Sequence, residues 1–127
     1  MFAGTEKRKY RRIKKPIIAR FQILNEKGDG GIFPGWDMVN VQDLGAGGIR
    51  FNYDDTIEAD SRLEFKINFP SLEKPIECRG TVLRAQKEPN SSRVRIASVF
   101  TDISDAEKME IEKFAEKLVI KEPWAIE

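Results

Sequence analysis

Hydrophobic positions recur at every second residue through most of this chain. The run Arg62–Phe69 shows it most cleanly, with Leu63, Phe65, Ile67 and Phe69 alternating with Arg62, Glu64, Lys66 and Asn68, the mark of a strand buried on one face. The same period, carried by β-branched and aromatic residues, predicts a first strand over Ile17–Leu24, a second over Trp36–Asp43 and a third over Gly48–Tyr53. Ile76–Lys87 follows with mixed parity, as in a strand that bends, and Arg93–Phe100 is the sixth, with Val94, Ile96 and Ser98 facing opposite to Arg93, Arg95 and Val99. Between them, Asn25–Gly35 has loop composition and is longer than a usual hairpin connection, while Pro70-Ser71 and Glu88–Ser92 are turns. After Ser104 the period becomes helical. Ile111, Phe114, Ala115 and Leu118 form an apolar stripe, Glu107 completes a capping box with Ser104, and Pro123 closes the element, so a helix is expected over about residues 104–121. The fold class that follows is mainly β: a six-stranded antiparallel β-barrel or curled sheet, one C-terminal α-helix against its open side, and an N-terminal arm.

At 127 residues the chain is long enough for one core and too short for two ordinary domains. We divide it into an arm over residues 1–15 and one domain over residues 16–127. Charge sharpens that division. The formal total is only +1, but residues 1–20 hold eight Lys or Arg against one acid, Glu6, a balance of +7, which leaves −6 for the rest. An anionic partner is therefore expected to be drawn to the arm and largely repelled elsewhere. Short of large apolar residues, the arm is expected to be flexible through Lys15, up to Pro16. The chain has no histidine, and its single cysteine, Cys78, lies in a strand-like run where an inert buried thiol is expected. Zinc sites and Ser-His or Cys-His catalysis are thereby excluded, so we expect no enzyme activity, no metal and no cofactor. One cysteine also fits a reducing, cytoplasmic setting. No apolar run approaches the ~20 residues of a bilayer span, and no membrane insertion is expected.

Two stretches carry candidate chemistry. Arg8 and Arg12 are four residues apart, a spacing that puts them on one face of a helix and on one side of an extended chain. A pair of planar, permanently charged forks suits a ligand with phosphates and a flat ring bearing acceptors on one edge, as guanine does. The second stretch is Asp43-Leu44-Gly45-Ala46-Gly47-Gly48, between the second and third strands. Taken alone, the first reads as a solvated basic tail. The second reads as an ordinary hairpin whose glycines supply positive φ and whose Asp43 caps its own turn.

Together, the arm, the turn and the element order resemble the PilZ domain family, bacterial receptors for cyclic di-GMP. The family's signatures are Arg-x-x-x-Arg before the first strand and Asp/Asn-x-Ser-x-x-Gly in the turn after the second. Arg8 and Arg12 match the first, with Ile13 after them and Pro16-Ile17 leading into the strand. Asp43 and Gly48 match the second, but Gly45 stands in place of its serine. The likeness continues through Gly80–Arg84 and Val99–Ser104. It implies a PilZ-like split barrel acting as a non-catalytic cyclic di-GMP receptor. In that role Arg8 and Arg12 clamp bases and phosphates, and Asp43 accepts from a guanine edge or fixes an arginine. Gly45, Gly47 and Gly48 belong to the same turn, where Gly47 and Gly48 let the backbone approach the ligand.

Lys7 and Arg11 repeat the arginine spacing and are weaker candidates. Arg84 is another, although a solvated or salt-bridged role suits it better. The implied relay is an ordering of the arm that creates a surface for an unidentified protein output partner. Gly45 removes a hydroxyl worth roughly 0.5 to 1.5 kcal/mol, about three- to twelve-fold in affinity. The alternative is therefore an adaptor, a protein-interaction module that works without ligand. No nucleic acid polymer is expected, because the body is acidic and its strands show few exposed aromatics for stacking. Trp36 and Trp124 are either partner contacts or packed on the barrel.

Overall fold

The structure, a computed structural model, describes residues 10–24, 35–70 and 72–127. Its strands are β1 (Ile17–Leu24), β2 (Asp37–Gly45), β3 (Gly48–Tyr53), β4 (Arg62–Asn68), β5 (Ile76–Lys87) and β6 (Val94–Asp102), followed by helix α1 (Asp105–Lys121) and a 3-10 turn at Pro123–Ala125. All neighbours are antiparallel, in the spatial order β1-β2-β3-β6-β5-β4, and the sheet closes into a barrel. Closure is made by β1 against β4, from Ile18 opposite Asn68 to Leu24 opposite Arg62. The curled open sheet is thus set aside, because pairing those two strands satisfies the backbone groups an edge would leave exposed.

The inward positions of the alternating pattern fill the barrel. Phe21, Phe51 and Phe65 are fully buried. Their rings stand 5.1 Å and 6.1 Å apart in sequence, and Phe65 meets Phe100 at 5.9 Å, separations at which tilted and edge-on aromatic pairs attract. The mixed parity of β5 has a cause: its register slips at Arg79/Gly80 and again at Val82/Arg84. Bulges of this kind bend a strand and redirect side chains, and the second leaves Leu83 and Arg84 both on the outside. Strands β2 and β6 run past their expected ends because Gly45 still pairs with Gly48, and Asp102 with Arg79.

Helix α1 begins as its sequence dictates. The Ser104 hydroxyl accepts from the Glu107 amide at 3.1 Å, and the Glu107 carboxylate accepts in return from the Ser104 amide at 3.3 Å. Ile111, Ala115 and Leu118 are buried, and the Phe114 ring packs 4.9 Å from that of Phe69. Cys78 is buried in the core. Burial, reinforced by the nearby Glu107 and Asp102 carboxylates, pushes its thiol up to about 12, so it stays neutral and unreactive at neutral pH.

The arm meets the body before Pro16. Ile13, the one large apolar residue among its basic neighbours, is completely buried. Its amide donates to the Leu44 carbonyl at 2.6 Å, and the Leu44 amide donates back at 3.1 Å. On its other side Arg12 and Glu127 exchange backbone bonds at 3.3 and 2.9 Å, and the Lys14 amide donates to Ala125 at 2.6 Å. Residues 12–14 therefore form a short extended rung between β2 and the C-terminal tail, held by one buried side chain and five backbone bonds. The expectation of a free arm through Lys15 differs from this, since burying Ile13 rewards docking of exactly the residues that composition marks as tail. Lys7 and Arg8, and residues 25–34 of the expected loop, lie outside the described residues.

Candidate functional site

An extended segment alternates its side chains, and that alternation builds the site. With Ile13 turned into the core, Arg12 and Lys14 fall on the opposite side. On β2 Asp43 lies opposite Arg50, two residues out from the Gly45–Gly48 pair that closes the hairpin, and a bulge between Val41 and Asp43 follows. Three cations consequently converge on a single oxygen. Asp43 Oδ2 accepts from Arg50 Nη2 at 2.7 Å, from Lys14 Nζ at 3.0 Å and from Arg12 Nη1 at 3.1 Å.

The Asp43 side chain is only 5% exposed, while the three cations remain open to solvent at the rim. Burial by itself would raise the Asp43 carboxyl. Hydrogen bonds from Arg50 and Lys14 and the charges of Lys14 and Arg12 outweigh it, and hold the carboxyl below the usual carboxylate range. An ionised Asp43 under three cations, with the Glu127 carboxylate also 3.3 Å from Lys14 Nζ, leaves one surplus positive charge at the surface. Of the two roles the family resemblance implies for Asp43, this geometry is the fixing of arginines, with Oδ2 fully engaged.

Arg12 and Arg50 border a surface hollow of about 410 Å³, lined also by Tyr10, Gly47, Arg84 and Ala97 among others. Its floor follows from register. Arg50 pairs with Ala97 across β3 and β6, and Ala97 pairs with Arg84 across β6 and β5. A methyl group thus separates two arginines whose backbones stand about 10 Å apart at ordinary strand spacing. Arg84 makes no ion pair or hydrogen bond with any described residue, so the salt-bridged role is not what the structure displays. Leu83, put outside by the β5 bulge, brings an exposed apolar side chain to the same rim. Arg11 points the other way. Its amide donates to Glu112 Oε1 at 3.4 Å and its guanidinium lies 4.0 Å from Glu116, both on α1, and it does not line the hollow.

The turn glycines serve close approach rather than an unusual backbone angle, since neither Gly45, Gly47 nor Gly48 has positive φ. A Cβ on Gly48 would stand 2.5 Å from the Ser98 carbonyl oxygen, and one on Gly45 would stand 2.8 Å from the Arg11 carbonyl oxygen. The family's serine therefore cannot occupy position 45 unless the arm's backbone moves. We expect Gly45→Ser and Gly45→Ala alike to cost about 1 to 3 kcal/mol of stability. Hydrogen exchange should become faster at Ile13 and Leu44, whose amides bind each other's carbonyls. Unchanged melting and unchanged protection in both variants would show that the arm does not press on Gly45.

Lys14, Arg50, Tyr10, Leu83 and Ala97 are site residues that sequence reasoning passed over. Arg50 had a signal, because Asp43 and Arg50 flank a predicted hairpin at matching distance. The summed charge of the body misled in a similar way. Although residues 21–127 balance to −6, Arg50, Arg84, Arg93 and Arg95 stand on or beside β3, β5 and the start of β6. A second hollow of about 710 Å³, lined in part by Lys14, Asn52, Arg93 and Arg95, adjoins the first. An anion arriving on this side meets attraction from the body as well as from the arm. Among the described residues no cluster of His, Cys, Asp and Glu is placed to hold a metal ion, and no helix is long and apolar enough to cross a membrane.

A family model described as PilZ domain matches residues 6–117. The chain belongs to the PilZ domain family. No curated protein matches it in sequence. Solved PilZ-type structures share its fold at low identity. The Bacillus subtilis inhibitor of motility MotI/DgrA is similar with a TM-score of 0.73 and 16% identity, over 92% of this chain and 53% of that one. The PilZ domain of Escherichia coli YcgR with c-di-GMP gives 0.60 and 14%, over 91% and 94%. Escherichia coli YcgR in complex with c-di-GMP gives 0.67 and 13%, over 93% and 48%. This PilZ domain thus spans about half the length of MotI/DgrA and of YcgR. At such identities the likeness carries the barrel, and the site must be argued from its own residues.

Proposed function

We propose that this PilZ domain is a receptor for cyclic di-GMP, held in the hollow bordered by Arg12, Arg50 and Arg84. The observation that carries the reading is the cluster on Asp43, three cations against one buried carboxylate. The one surplus charge of that cluster and Arg84, unpaired among the described residues at the same hollow, together suit a ligand with two phosphates. Arg12 and Arg50 are oriented beforehand by Asp43, so they donate charge-assisted bonds to phosphate without first losing much side-chain freedom. Arg84, with its fork unengaged, takes a guanine edge or stacks on the base, and Tyr10 and Leu83 supply apolar wall. Arg8, the other matched arginine, completes the clamp with Arg12 in this reading. The c-di-GMP held by the YcgR structures supports the choice of messenger.

The domain acts by binding and performs no reaction on the ligand. Its relay runs through the arm: Arg12 faces the hollow while Arg11 rests on Glu112 and Glu116 of α1. Drawing Arg12 toward phosphate shifts Arg11 on the helix and alters the surface offered to a protein output partner.

Calorimetric titration with cyclic di-GMP tests the reading. Wild type should bind, and Arg84→Ala should bind about tenfold or more weakly, from loss of a charged hydrogen bond of roughly 1.5 to 3 kcal/mol, with melting unchanged. A silent wild type would sink it. If that silent protein still captured the same partner with and without the dinucleotide, the adaptor reading suggested by Gly45 would take its place.

A further inference from the structure

The outward side of α1 is organised as well as its inward side. Ala106, Met109, Lys113, Glu116 and Ile120 follow one another at spacings of three, four, three and four, all exposed, opposite the buried Ile111, Ala115 and Leu118. That is the period of a helix-pairing seam. Its apolar members are unusually open for their size: Met109 is 59% exposed, Ile120 is 83% exposed, and Trp124, just beyond the helix, is 68% exposed. No described residue covers them.

The seam is complementary to itself when reversed. About a two-fold axis between Phe114 and Ala115, Met109 faces Ile120 of a second copy, and Lys113 faces its Glu116. The flanking pair Glu112 and Lys117 inverts in the same manner, and Ala106, which leaves room, comes under the tail that carries Trp124. A parallel arrangement would set Lys113 on Lys113 and Glu116 on Glu116, which like-charge repulsion disfavours. From this inverted charge pattern we infer that α1 is a self-association surface and that its occupant is a second copy of the chain, packed antiparallel. A 17-residue helix offers a contact only about 25 Å long. Polar residues lie at its middle, so the pairing is weak and reversible, in keeping with small interfaces.

Arg11 links this surface to the hollow, since it rests on Glu112 and Glu116. Lys113 makes no ion pair or hydrogen bond with any described residue, so changing it disturbs nothing within the copy.

Sedimentation equilibrium on the full chain decides the matter, run from roughly ten micromolar to one millimolar, the range of weak association. Wild type should show concentration-dependent dimers. Lys113→Glu and Glu116→Lys should each weaken dimerisation by about tenfold or more, since each turns two attractive pairs into two repulsive ones. The double variant Lys113→Glu/Glu116→Lys should recover it, because the exchanged charges again face their opposites. Ile120→Asp should abolish it with the melting temperature unaltered. A wild type that stays monomeric throughout, or a double variant no better than the singles, would overturn the inference.

Discussion

Arg12→Ala is expected to weaken cyclic di-GMP binding by about a hundredfold. Arg12 is part of the arm and part of the Asp43 cluster at once, its Nη1 bonded to Asp43 at 3.1 Å and the guanidinium open at the rim. A charged hydrogen bond is worth roughly 1.5 to 3 kcal/mol, and a forked contact to phosphate makes more than one. The fold should tolerate the change, because Lys14 and Arg50 still neutralise Asp43. Melting should therefore fall by no more than the ~1 kcal/mol typical of a solvent-open ion pair. Arg12→Lys keeps the charge without the planar fork and should restore only part of the affinity. Calorimetry on the three proteins distinguishes the outcomes. An unchanged dissociation constant in Arg12→Ala would remove the clamp from the mechanism.

Asp43→Asn is expected to have the largest effect on stability, about 2 to 4 kcal/mol and on the order of ten degrees in melting temperature. The substitution keeps the shape and removes the charge that holds Arg12, Lys14 and Arg50 together, leaving three cations converging on a neutral amide. It should also loosen the arm, since two of those cations flank Ile13. The effect carries a pH signature. The folded carboxyl lies below its ordinary value of 3.8, so its contribution is fully present above the unfolded value and is lost as pH falls through the folded one. The gap in melting temperature between wild type and Asp43→Asn should therefore be wide at neutral pH. It should close as pH drops below about 4, where the unfolded carboxyl takes up its proton. A gap of constant width across that range would mean the carboxylate is not ionised in the fold.

The strands and the helix could be read in advance because their signals are local. Alternation at period two marks β1 and β3 at their observed ends, the mixed-parity run Ile76–Lys87 coincides with β5, and Ser104 with Glu107 states where α1 begins, since both partners of that cap lie within one turn. Arg12, Asp43 and the Gly48 turn were legible in the same sense: charge, spacing and a glycine-rich corner are properties of a few consecutive residues. Ile13 was visible too, as an apolar residue amid basic ones, but nothing nearby in sequence showed that Leu44 and residues 125–127 would enclose it.

Register decided the rest. Arg50, Ala97 and Arg84 belong to strands far apart in the chain, and they form one row only because a bulge at Val82/Arg84 offsets the pairing of β5 with β6 by one residue. A bulge is settled by both strands together, so neither announces it alone. Gly45 gives the same lesson from the opposite side. Seen along the chain it is a serine lost from a motif, yet in the folded protein its missing side chain is the space taken by the Arg11 carbonyl. Periodicity and capping are written in neighbouring residues, whereas close approach and convergence exist only between segments that folding brings together.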